Sequence, residues 1–308
     1  MNRMISRVTL FAALLSFPVL AGQARADDAV RVASKLDAEA RFLGNVILQT
    51  LQAKGIAVES KLALGPTKIV RTALLSGEID IYPEYTGNGA FFFNIDSDPV
   101  WKNLEAGYEK VRDLDAEKNK IVWLKPAPAN NTWAIAVRKD VAAANKLANL
   151  EDFAHWVAGG GKVKIAASAE FVESPAALPA FEATYNFKLA PDQIVTLAGG
   201  DTAVTEKAAA DQTSGVNAAM AYGTDGAIAA LGLVGLDDNK GAQIVYAPAP
   251  VIRADVLAKH PEIKDALEPI FATLDADTLR SLNAKISLEG QDAKQVAAAY
   301  LKEKGFAK

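Results

Sequence analysis

Four aromatic residues stand where a predicted strand meets a turn that carries polar residues, glycine or proline. Tyr85 lies in "IDIYPEYTGNG", Trp133 in "NNTWAIAV", Tyr222 in "AYGTDG" and Tyr246 in "VYAPAP". In parallel α/β sheets, ligands bind outside the carboxyl ends of the strands. If these four rings converge at such an edge, they would form an aromatic cage around a ligand.

An aromatic cage suits one kind of ligand chemistry. A quaternary ammonium group carries no N–H, so ordinary donor–acceptor hydrogen bonds cannot recognise it. Its diffuse positive charge is attracted to the negative faces of aromatic rings, at roughly 0.5–2 kcal/mol for each contact. The alternative for each ring is packing in the hydrophobic core, and the periodicity of the sequence does not show that the four rings converge.

The sequence excludes most catalytic and metal sites. The chain has no cysteine and two histidines, His155 and His260, and neither histidine has the spacing of a metal ligand. It contains no phosphate-binding loop, dinucleotide fingerprint or serine nucleophile motif. Asp80 and Glu84 form a carboxylate pair that suggests acid–base chemistry, and the alternative is that Asp80 caps a strand while Glu84 braces the next loop. We expect a protein that is not an enzyme and needs no cofactor or metal.

Strand and helix patterns alternate along the chain. Short apolar strands are predicted at "AVRVAS" (29–34) and "IDIY" (79–82), and Asp37 is predicted to cap the first helix. A single helix is predicted over 100–119, and the last 50 residues are mostly helical. This alternation predicts an α/β fold with mostly parallel sheets that are covered on both faces.

The chain is long for one sheet of this kind, so a division into two lobes is predicted. The extended, proline-bearing segments 126–132 and 246–250 are the expected connections between the lobes. One lobe would then contain residues 27–130 and 248–308, and the other lobe residues 131–247.

The N-terminus has the pattern of an export signal. Arg3 and Arg7 precede the apolar run "VTLFAALLSFPVL", and "ARA" at 24–26 has the small-x-small pattern that signal peptidase cuts. A buried N-terminal helix is the alternative. We expect residues 1–26 to be a cleaved signal peptide and the mature chain, from Asp27, to lie in the periplasm. Without a cysteine at the cleavage site, no lipid anchor is expected.

The overall composition predicts a packed globular protein. Of the 308 residues, 50% are hydrophobic and 23% are charged, and the net charge is −4. No stripe of basic residues interleaved with aromatics is present, so we expect no nucleic-acid partner. No further segment is long and apolar enough to span a bilayer, so the mature chain is not expected to be membrane-embedded.

Several motifs follow one another in a recognisable order: "VASKLDAEA" (32–40), "ALLSGEIDIYPEYTGNG" (73–89), "NNTWAIAV" (130–137), "AYGTDG" (221–226) and "YAPAPVIR" (246–253). In these motifs the chain resembles the periplasmic substrate-binding proteins of ABC transporters for osmoprotectants such as glycine betaine and choline. "YPEYTG" after "G-x-I-D" is the most specific signature, and "YTGNGAFFF" is most similar to the YehZ/OsmF-like branch of low-affinity betaine-binding proteins. The resemblance implies a two-lobed, type II periplasmic binding protein fold with the ligand in a cleft between the lobes.

The resemblance also implies a ligand site of seven residues: Lys35, Tyr85, Asn88, Asn131, Trp133, Tyr222 and Tyr246. The four aromatic residues match cage rings, and Trp133 stands where the family usually has tyrosine. Lys35 matches a residue that contacts the carboxylate of the ligand. Asn88 stands where many relatives have threonine and can donate a hydrogen bond, and the backbone around Asn131 borders the pocket. Tyr82 is implied to be a packing residue.

One position departs from the family pattern. Relatives commonly read "EF-x-x-R" after the strand "KVKIAA", and that arginine clamps the betaine carboxylate with two hydrogen bonds. This chain reads "EFVES", with Ser174 at the arginine position. Lys35 alone is a point charge and a poorer carboxylate clamp. We expect either weak binding of glycine betaine or a preferred ligand without a carboxylate, such as choline.

The leading hypothesis is a monomeric binding protein that captures a small quaternary-ammonium solute and delivers it to an ABC transporter permease. The permease would contact the outer faces of both lobes. A different small amine or polar solute, held by an altered cage, is the alternative within the same class. Two further classes stay open: a secreted hydrolase that uses Asp80 and Glu84, and a periplasmic protein with a structural or chaperone-like role.

Overall fold

The structure is a computed structural model that describes residues 29–197 and 202–307. The predicted signal peptide, residues 1–26, lies outside the described residues. The strands in these ranges are β1 (Val30–Ala33), β2 (Val58–Lys61), β3 (Ile81–Tyr85), β4 (Ile121–Trp123), β5 (Trp133–Arg138), β6 (Ile165–Ser168), β7 (Ile194–Leu197), β8 (Ala218–Tyr222), β9 (Leu233–Gly235) and β10 (Pro248–Arg253).

The helices in the same ranges are α1 (Ala38–Ala53), α2 (Thr67–Ser76), α3 (Asn88–Phe92), α4 (Leu104–Asn119), α5 (Lys139–Asn145), α6 (Leu150–Ala158), α7 (Ala169–Glu173), α8 (Leu178–Tyr185), α9 (Thr202–Ala210), α10 (Gly226–Ala230), α11 (Ala254–Lys259), α12 (Glu262–Phe271), α13 (Ala276–Ser287) and α14 (Ala293–Glu303). None of these helices combines the length and the apolar character needed to cross a bilayer.

The strands form two five-stranded sheets within the described residues. The first sheet has the order β2-β1-β3-β10-β4 and the second the order β7-β6-β8-β5-β9. In each sheet four of the five strands run in the same direction and one is reversed, so the prediction of mostly parallel sheets is confirmed, although two of the four neighbouring pairs are antiparallel. The reversed strands are β5 and β10, which the chain enters directly after it passes from one sheet to the other. Because no helix turns the chain back before these strands, they run opposite to their neighbours.

Local sequence signals explain where the first helices begin and end. The carboxylate of Asp37 accepts a hydrogen bond from the backbone N–H of Ala40 (2.8 Å), as expected of an N-cap. The helix predicted over 100–119 is instead a short 3₁₀ turn followed by α4. Asn103 causes the break, because its side chain accepts from the N–H of Ala106 and so starts a new helix.

Strand β3 differs from the prediction in a way that matters for the site. It was expected over 79–82 but runs over Ile81–Tyr85, and all five of its residues are buried. Tyr85 is therefore the last residue of a central strand rather than part of a glycine-loosened loop. Its position is fixed by antiparallel pairing with Pro248 of β10.

Both faces of each sheet are covered, which follows from the alternation of side chains along a strand. In the first sheet, Val32 and Ile81 pack against the helices on one face, while Ala33 and Tyr82 pack on the other. The second sheet has the same arrangement, with separate apolar clusters on its two faces. The prediction of sheets covered on both faces is confirmed.

Helix α13 joins the two halves of the molecule. It packs against α1, which covers the first sheet, and against α10, which follows the second sheet's strand β8. The approach to α10 is close, because a Cβ added to Gly226 would lie 2.3 Å from the backbone nitrogen of Ala284. Only glycine at position 226 allows the two helices to pack at this distance.

Candidate ligand-binding site

The topology places the predicted site residues at one edge of each sheet. Because β5 and β10 are reversed, their first residues lie beside the last residues of β8 and β3. Trp133 is in register with Tyr222, and Pro248 is in register with Tyr85. The other predicted residues lie two or three positions from strand ends at the same edges: Lys35, Asn88, Asn131 and Tyr246.

Trp133 and Tyr222 form a stacked aromatic pair. Their ring centroids are 4.5 Å apart and their planes differ by 23°. Phe171 of α7 packs edge-on against Trp133, with centroids 5.4 Å apart, and so holds the indole in place. Both rings of the pair are only partly buried. Partly exposed aromatic faces at a strand end are suited to bind a cation.

Tyr246 lies beside the turn that follows β3. A Cβ on Gly87 would lie 2.8 Å from Cδ1 of Tyr246, so glycine is needed for the ring to approach this closely. Two asparagines fix the backbone of Tyr246. Its N–H donates to Oδ1 of Asn130 (2.8 Å), and its carbonyl accepts from the N–H of Asn131 (3.0 Å).

The four predicted rings therefore form two groups in the described part of the chain. Trp133 and Tyr222 stack at the edge of the second sheet, while Tyr85 and Tyr246 lie at the edge of the first sheet and share no ring contact with that pair. Burial raises the pKa of Tyr222 and that of Tyr246 to about 12 each. Both hydroxyls are therefore protonated at neutral pH. The convergence of all four rings on a ligand stays a prediction.

Glu84 is the centre of a buried polar cluster below Tyr85. The carboxylate is fully buried, and its Oε1 accepts from the backbone N–H of Tyr85 (2.7 Å) and from the amide of Asn88 (2.7 Å). Its Oε2 accepts from the hydroxyl of Tyr82 (2.8 Å). Tyr82 is thus a buried packing residue that also supports Glu84. This cluster fixes the orientation of the strand end that carries Tyr85.

Lys35 supplies the positive charge that balances Glu84. Its Nζ lies 2.5 Å from Oε1 of Glu84, and both side chains are buried. The same ammonium lies 4.8 Å from the centroid of the Tyr85 ring. The implied contact between Lys35 and a ligand carboxylate stays a prediction, and in this structure the charge of Lys35 is matched by Glu84.

A second buried carboxylate, Glu39, was missed by sequence reasoning. It is 4% exposed, and its Oε1 accepts from the hydroxyl of Tyr85 (2.8 Å) and the amide of Asn131 (3.2 Å). Its Oε2 accepts from the amide of Asn283 in α13 (2.7 Å). Burial raises the pKa of the Glu39 carboxyl, and hydrogen bonds from Thr224, Tyr85 and Asn283 oppose that shift. A glutamate in the first turn of a helix is usually exposed, so the sequence carries no signal of this role.

A cavity of about 340 Å³ lies where these elements meet. Its walls combine residues of α1 and its N-cap, the segment between the sheets, the start of α9, the end of β8 with the following loop and α10, and α13: Asp37, Ala38, Glu39, Asn131, Thr202, Tyr222, Thr224, Asp225, Gly226, Asn283 and Ser287. Three of these residues carry carboxylates, and no lysine or arginine is among them. The lining is therefore suited to a cation more than to an anion.

The carboxylate pair considered for catalysis has structural partners. Asp80 accepts from the guanidinium of Arg31 through two hydrogen bonds (2.8 and 2.7 Å) and from the backbone N–H of the same residue. Glu84 braces the strand end as described above. Within residues 29–197 and 202–307, no cluster of three or more potential metal ligands is present. The geometry thus favours the structural alternative for both carboxylates.

A family model described as the substrate-binding domain of an ABC-type glycine betaine transport system (OpuAC) matches residues 28–303. The chain belongs to this family. The predicted family is confirmed, and so is the prediction of a binding protein rather than an enzyme, since OpuAC domains bind the substrates of transporters.

Individual relatives extend the match. The glycine betaine-binding protein YehZ of Escherichia coli (strain K12) is 61% identical over 279 residues, which cover 91% of this chain and 92% of YehZ. A glycine-betaine-binding protein of Pseudomonas aeruginosa is 32% identical over 311 residues, covering 98% and 95% of the two chains. The solved structure of apo YehZ superposes with a TM-score of 0.87 at 60% identity, over 91% of this chain and 99% of that one. The predicted α/β, two-lobed periplasmic binding protein fold is confirmed by this similarity.

Proposed function

We propose that this OpuAC-family chain captures a quaternary-ammonium solute, with glycine betaine or choline as the first candidates, and delivers it to an ABC permease. The stacked pair of Trp133 and Tyr222 is the observation that carries the proposal, because it presents partly exposed aromatic faces beside a cavity without basic residues. Tyr85 and Tyr246, at the facing sheet edge, would complete an aromatic cage around the methylated nitrogen.

The proposal includes the organisation predicted from the sequence. Residues 1–26 are a signal peptide that is cleaved on export to the periplasm. Residues 27–130 and 248–308 form one lobe and residues 131–247 the other, and the solute binds between them. The protein acts as a monomer, and the outer faces of both lobes contact the permease.

The trimethylammonium end and the carboxylate end of a betaine would meet different environments in this site. The trimethylammonium group would meet the aromatic rings, at roughly 0.5–2 kcal/mol for each ring. A carboxylate at the other end would find weaker partners, because Ser174 stands at the position of the usual arginine and Lys35 is already paired with Glu84 (2.5 Å). The acidic residues of the cavity also disfavour the carboxylate of a ligand. We therefore propose weak binding of glycine betaine and equal or tighter binding of choline.

The Asn88 amide and the backbone near Asn131 are proposed to border the solute. Asn88 donates to Glu84 in this structure (2.7 Å), and a ligand would have to share or replace that hydrogen bond. The N–H of Asn131 is bonded to the carbonyl of Tyr246 (3.0 Å), which ties the crossing segment to a cage ring.

Titration calorimetry and thermal unfolding with glycine betaine, choline, tetramethylammonium and glycine test the proposal. Glycine has the carboxylate of glycine betaine but no methyl groups, so it is the matched control. The three compounds with a methylated ammonium group should bind and stabilise the fold, by about 2.7 kcal/mol at 100 times the dissociation constant, and glycine should not. If none of these three compounds binds, the proposed function is wrong. Sub-micromolar binding of glycine betaine would overturn the proposal of a weak carboxylate site.

A further inference from the structure

Glu39 connects parts of the molecule that are far apart in the sequence. Its carboxylate receives hydrogen bonds from Tyr85 at the end of β3, from Asn131 in the segment between the sheets, and from Asn283 in α13. Among the described residues, no lysine, arginine or histidine forms an ion pair with Glu39. A buried carboxylate without a cationic partner is costly to keep, so these three donors and the side chain of Thr224 are its main compensation.

Helix α13 extends this connection to the loop that follows Tyr222. The amide of Asn283 donates both to Glu39 (2.7 Å) and to the carbonyl of Thr224 (2.9 Å). One turn earlier, Nε of Arg280 donates to the carbonyl of Gly223 (2.8 Å). The loop directly after Tyr222 is therefore held by side chains from α13.

The two asparagines that contact Glu39 are bonded through their amide nitrogens. The amide oxygens of Asn131 and Asn283 are buried and have no hydrogen-bond partner within residues 29–197 and 202–307. A buried amide that satisfies only its donor side is a net cost in stability. The bonds that these residues do make lead to Glu39 and, from Asn283, to Thr224, which points to a role in holding the site together.

We propose that Glu39 and Asn283 are positioning residues of the ligand site. Through the chain Tyr85–Glu39–Asn283–Thr224 they set the spacing between a ring of the first sheet and the loop that follows Tyr222 of the second sheet. The inference rests on the proposed function, because it assumes that rings from both sheets enclose the same solute.

A positioning role and a direct contact with the solute predict different losses of affinity across a set of ligands. If Glu39 and Asn283 only set the distance between rings, replacing them weakens the binding of every ligand that has a trimethylammonium group by a similar factor. If Glu39 touches the solute, the loss depends on the other end of the ligand, which is a carboxylate in glycine betaine, a hydroxyl in choline and absent in tetramethylammonium.

The test uses Glu39→Gln, Asn283→Leu and the double variant of the purified protein. The dissociation constants for tetramethylammonium, choline and glycine betaine are measured by calorimetry. Each single variant should bind all three ligands about tenfold more weakly, the size expected from losing a hydrogen bond to a charged group, with the ratios between ligands unchanged. The double variant should lose far less than the product of the single losses, because both changes break one connection.

Glu182→Gln is the matched control. Glu182 is also buried (7% exposed); it accepts from the N–H of Leu189 (3.1 Å) and, unlike Glu39, pairs with a lysine, Lys188 (2.5 Å), but it lies in α8, away from the cavity. This variant should bind as the wild type does. If Glu39→Gln does not fold, Arg280→Gln breaks the neighbouring bond between α13 and the same loop, at Gly223, and should weaken the binding of all three ligands about threefold.

Three results would overturn the inference. The first is unchanged affinity in the Glu39 and Asn283 variants. The second is a loss confined to one ligand, which would mean that Glu39 contacts the solute directly. The third is full additivity in the double variant, which would mean that the two residues act separately. Failure of the wild type to bind any of the three ligands would instead overturn the proposed function on which the inference rests.

Discussion

The two halves of the proposed ring site are stabilised by different forces. On the first sheet, Tyr85 is 6% exposed, its hydroxyl donates to Glu39 (2.8 Å) and its backbone N–H donates to Glu84 (2.7 Å). On the second sheet, Trp133 is partly exposed and is held by stacking on Tyr222 and by the edge of Phe171. One half is fixed by buried charges and hydrogen bonds, and the other by contacts between rings.

Because of this difference, substitutions in the two halves should affect the stability of the fold and the affinity for a ligand to different extents. Removing a partner from a buried charge leaves that charge uncompensated, which destabilises the fold whether or not a ligand is present. Replacing a partly exposed ring by another apolar side chain keeps much of the packing but removes the face that attracts a cation. Changes at the buried Lys35–Glu84 pair should therefore appear mainly in the free energy of unfolding, and changes in the aromatic half mainly in ligand affinity.

The largest expected effect is the loss of stability caused by Lys35→Met in the polar half. This change leaves the fully buried Glu84 without its cation, so we expect a loss of about 3–5 kcal/mol in the free energy of unfolding. Urea unfolding measures it. The control is Lys61→Met, which breaks the exposed ion pair with Glu59 (2.6 Å) and should cost less than about 1 kcal/mol. Equal stabilities of the two variants would contradict the role given to Lys35.

The aromatic half is tested by Trp133→Leu. Leucine keeps an apolar contact with Phe171 but has no ring face, so affinity for tetramethylammonium should fall by about 1–2 kcal/mol, or roughly 5- to 30-fold. Trp133→Tyr, which restores a ring, should recover most of that affinity. Calorimetric titration measures both.

The matched control for the aromatic half is Trp156→Leu. Trp156 is also partly buried and packs edge-on against an aromatic ring, that of Phe153 (5.9 Å), but in α6 rather than at the strand edge. Its replacement should leave affinity unchanged. If Trp133→Leu binds as tightly as Trp156→Leu, the stacked pair does not contribute to binding.

The smallest expected effect is a dependence of stability on pH from Glu39. Burial raises the pKa of Glu39 in the folded chain above its ordinary value of 4.5, so the folded chain holds this proton to higher pH than the unfolded chain. The contribution to stability is fully present below the unfolded pKa and is lost as pH rises through the folded pKa. Urea unfolding of the wild type and of Glu39→Gln, from about pH 4 upward, should show the wild type losing stability relative to the variant. Parallel curves for the two proteins would contradict this prediction.

Much of the architecture could be predicted from local patterns. The N-cap at Asp37 and the alternation of strands and helices follow from residue types and spacing, and they agree with the structure. The directions of β5 and β10 could not be predicted in this way. They depend on how the chain passes between sheets, which is a long-range property that periodicity within a strand does not encode.

The site residues that stand beside turn signals could be predicted from the sequence, whereas those whose role depends on long-range contacts could not. The four aromatic residues were found because each one stands beside a turn signal in the sequence. Glu39 and Asn283 were not found, because their hydrogen bond joins residues 244 positions apart and both look like ordinary helix-surface residues in the sequence. The partner of Lys35 was missed for the same reason, since its ion pair with Glu84 depends on the parallel pairing of β1 with β3.

The most direct test of the account is a crystal structure with glycine betaine or choline bound. The account predicts the methylated nitrogen within about 6 Å of the ring centroids of Tyr85, Trp133, Tyr222 and Tyr246, with rings from both sheets around one cation. A methylated nitrogen bound elsewhere, or one surrounded by rings of a single sheet, would contradict it.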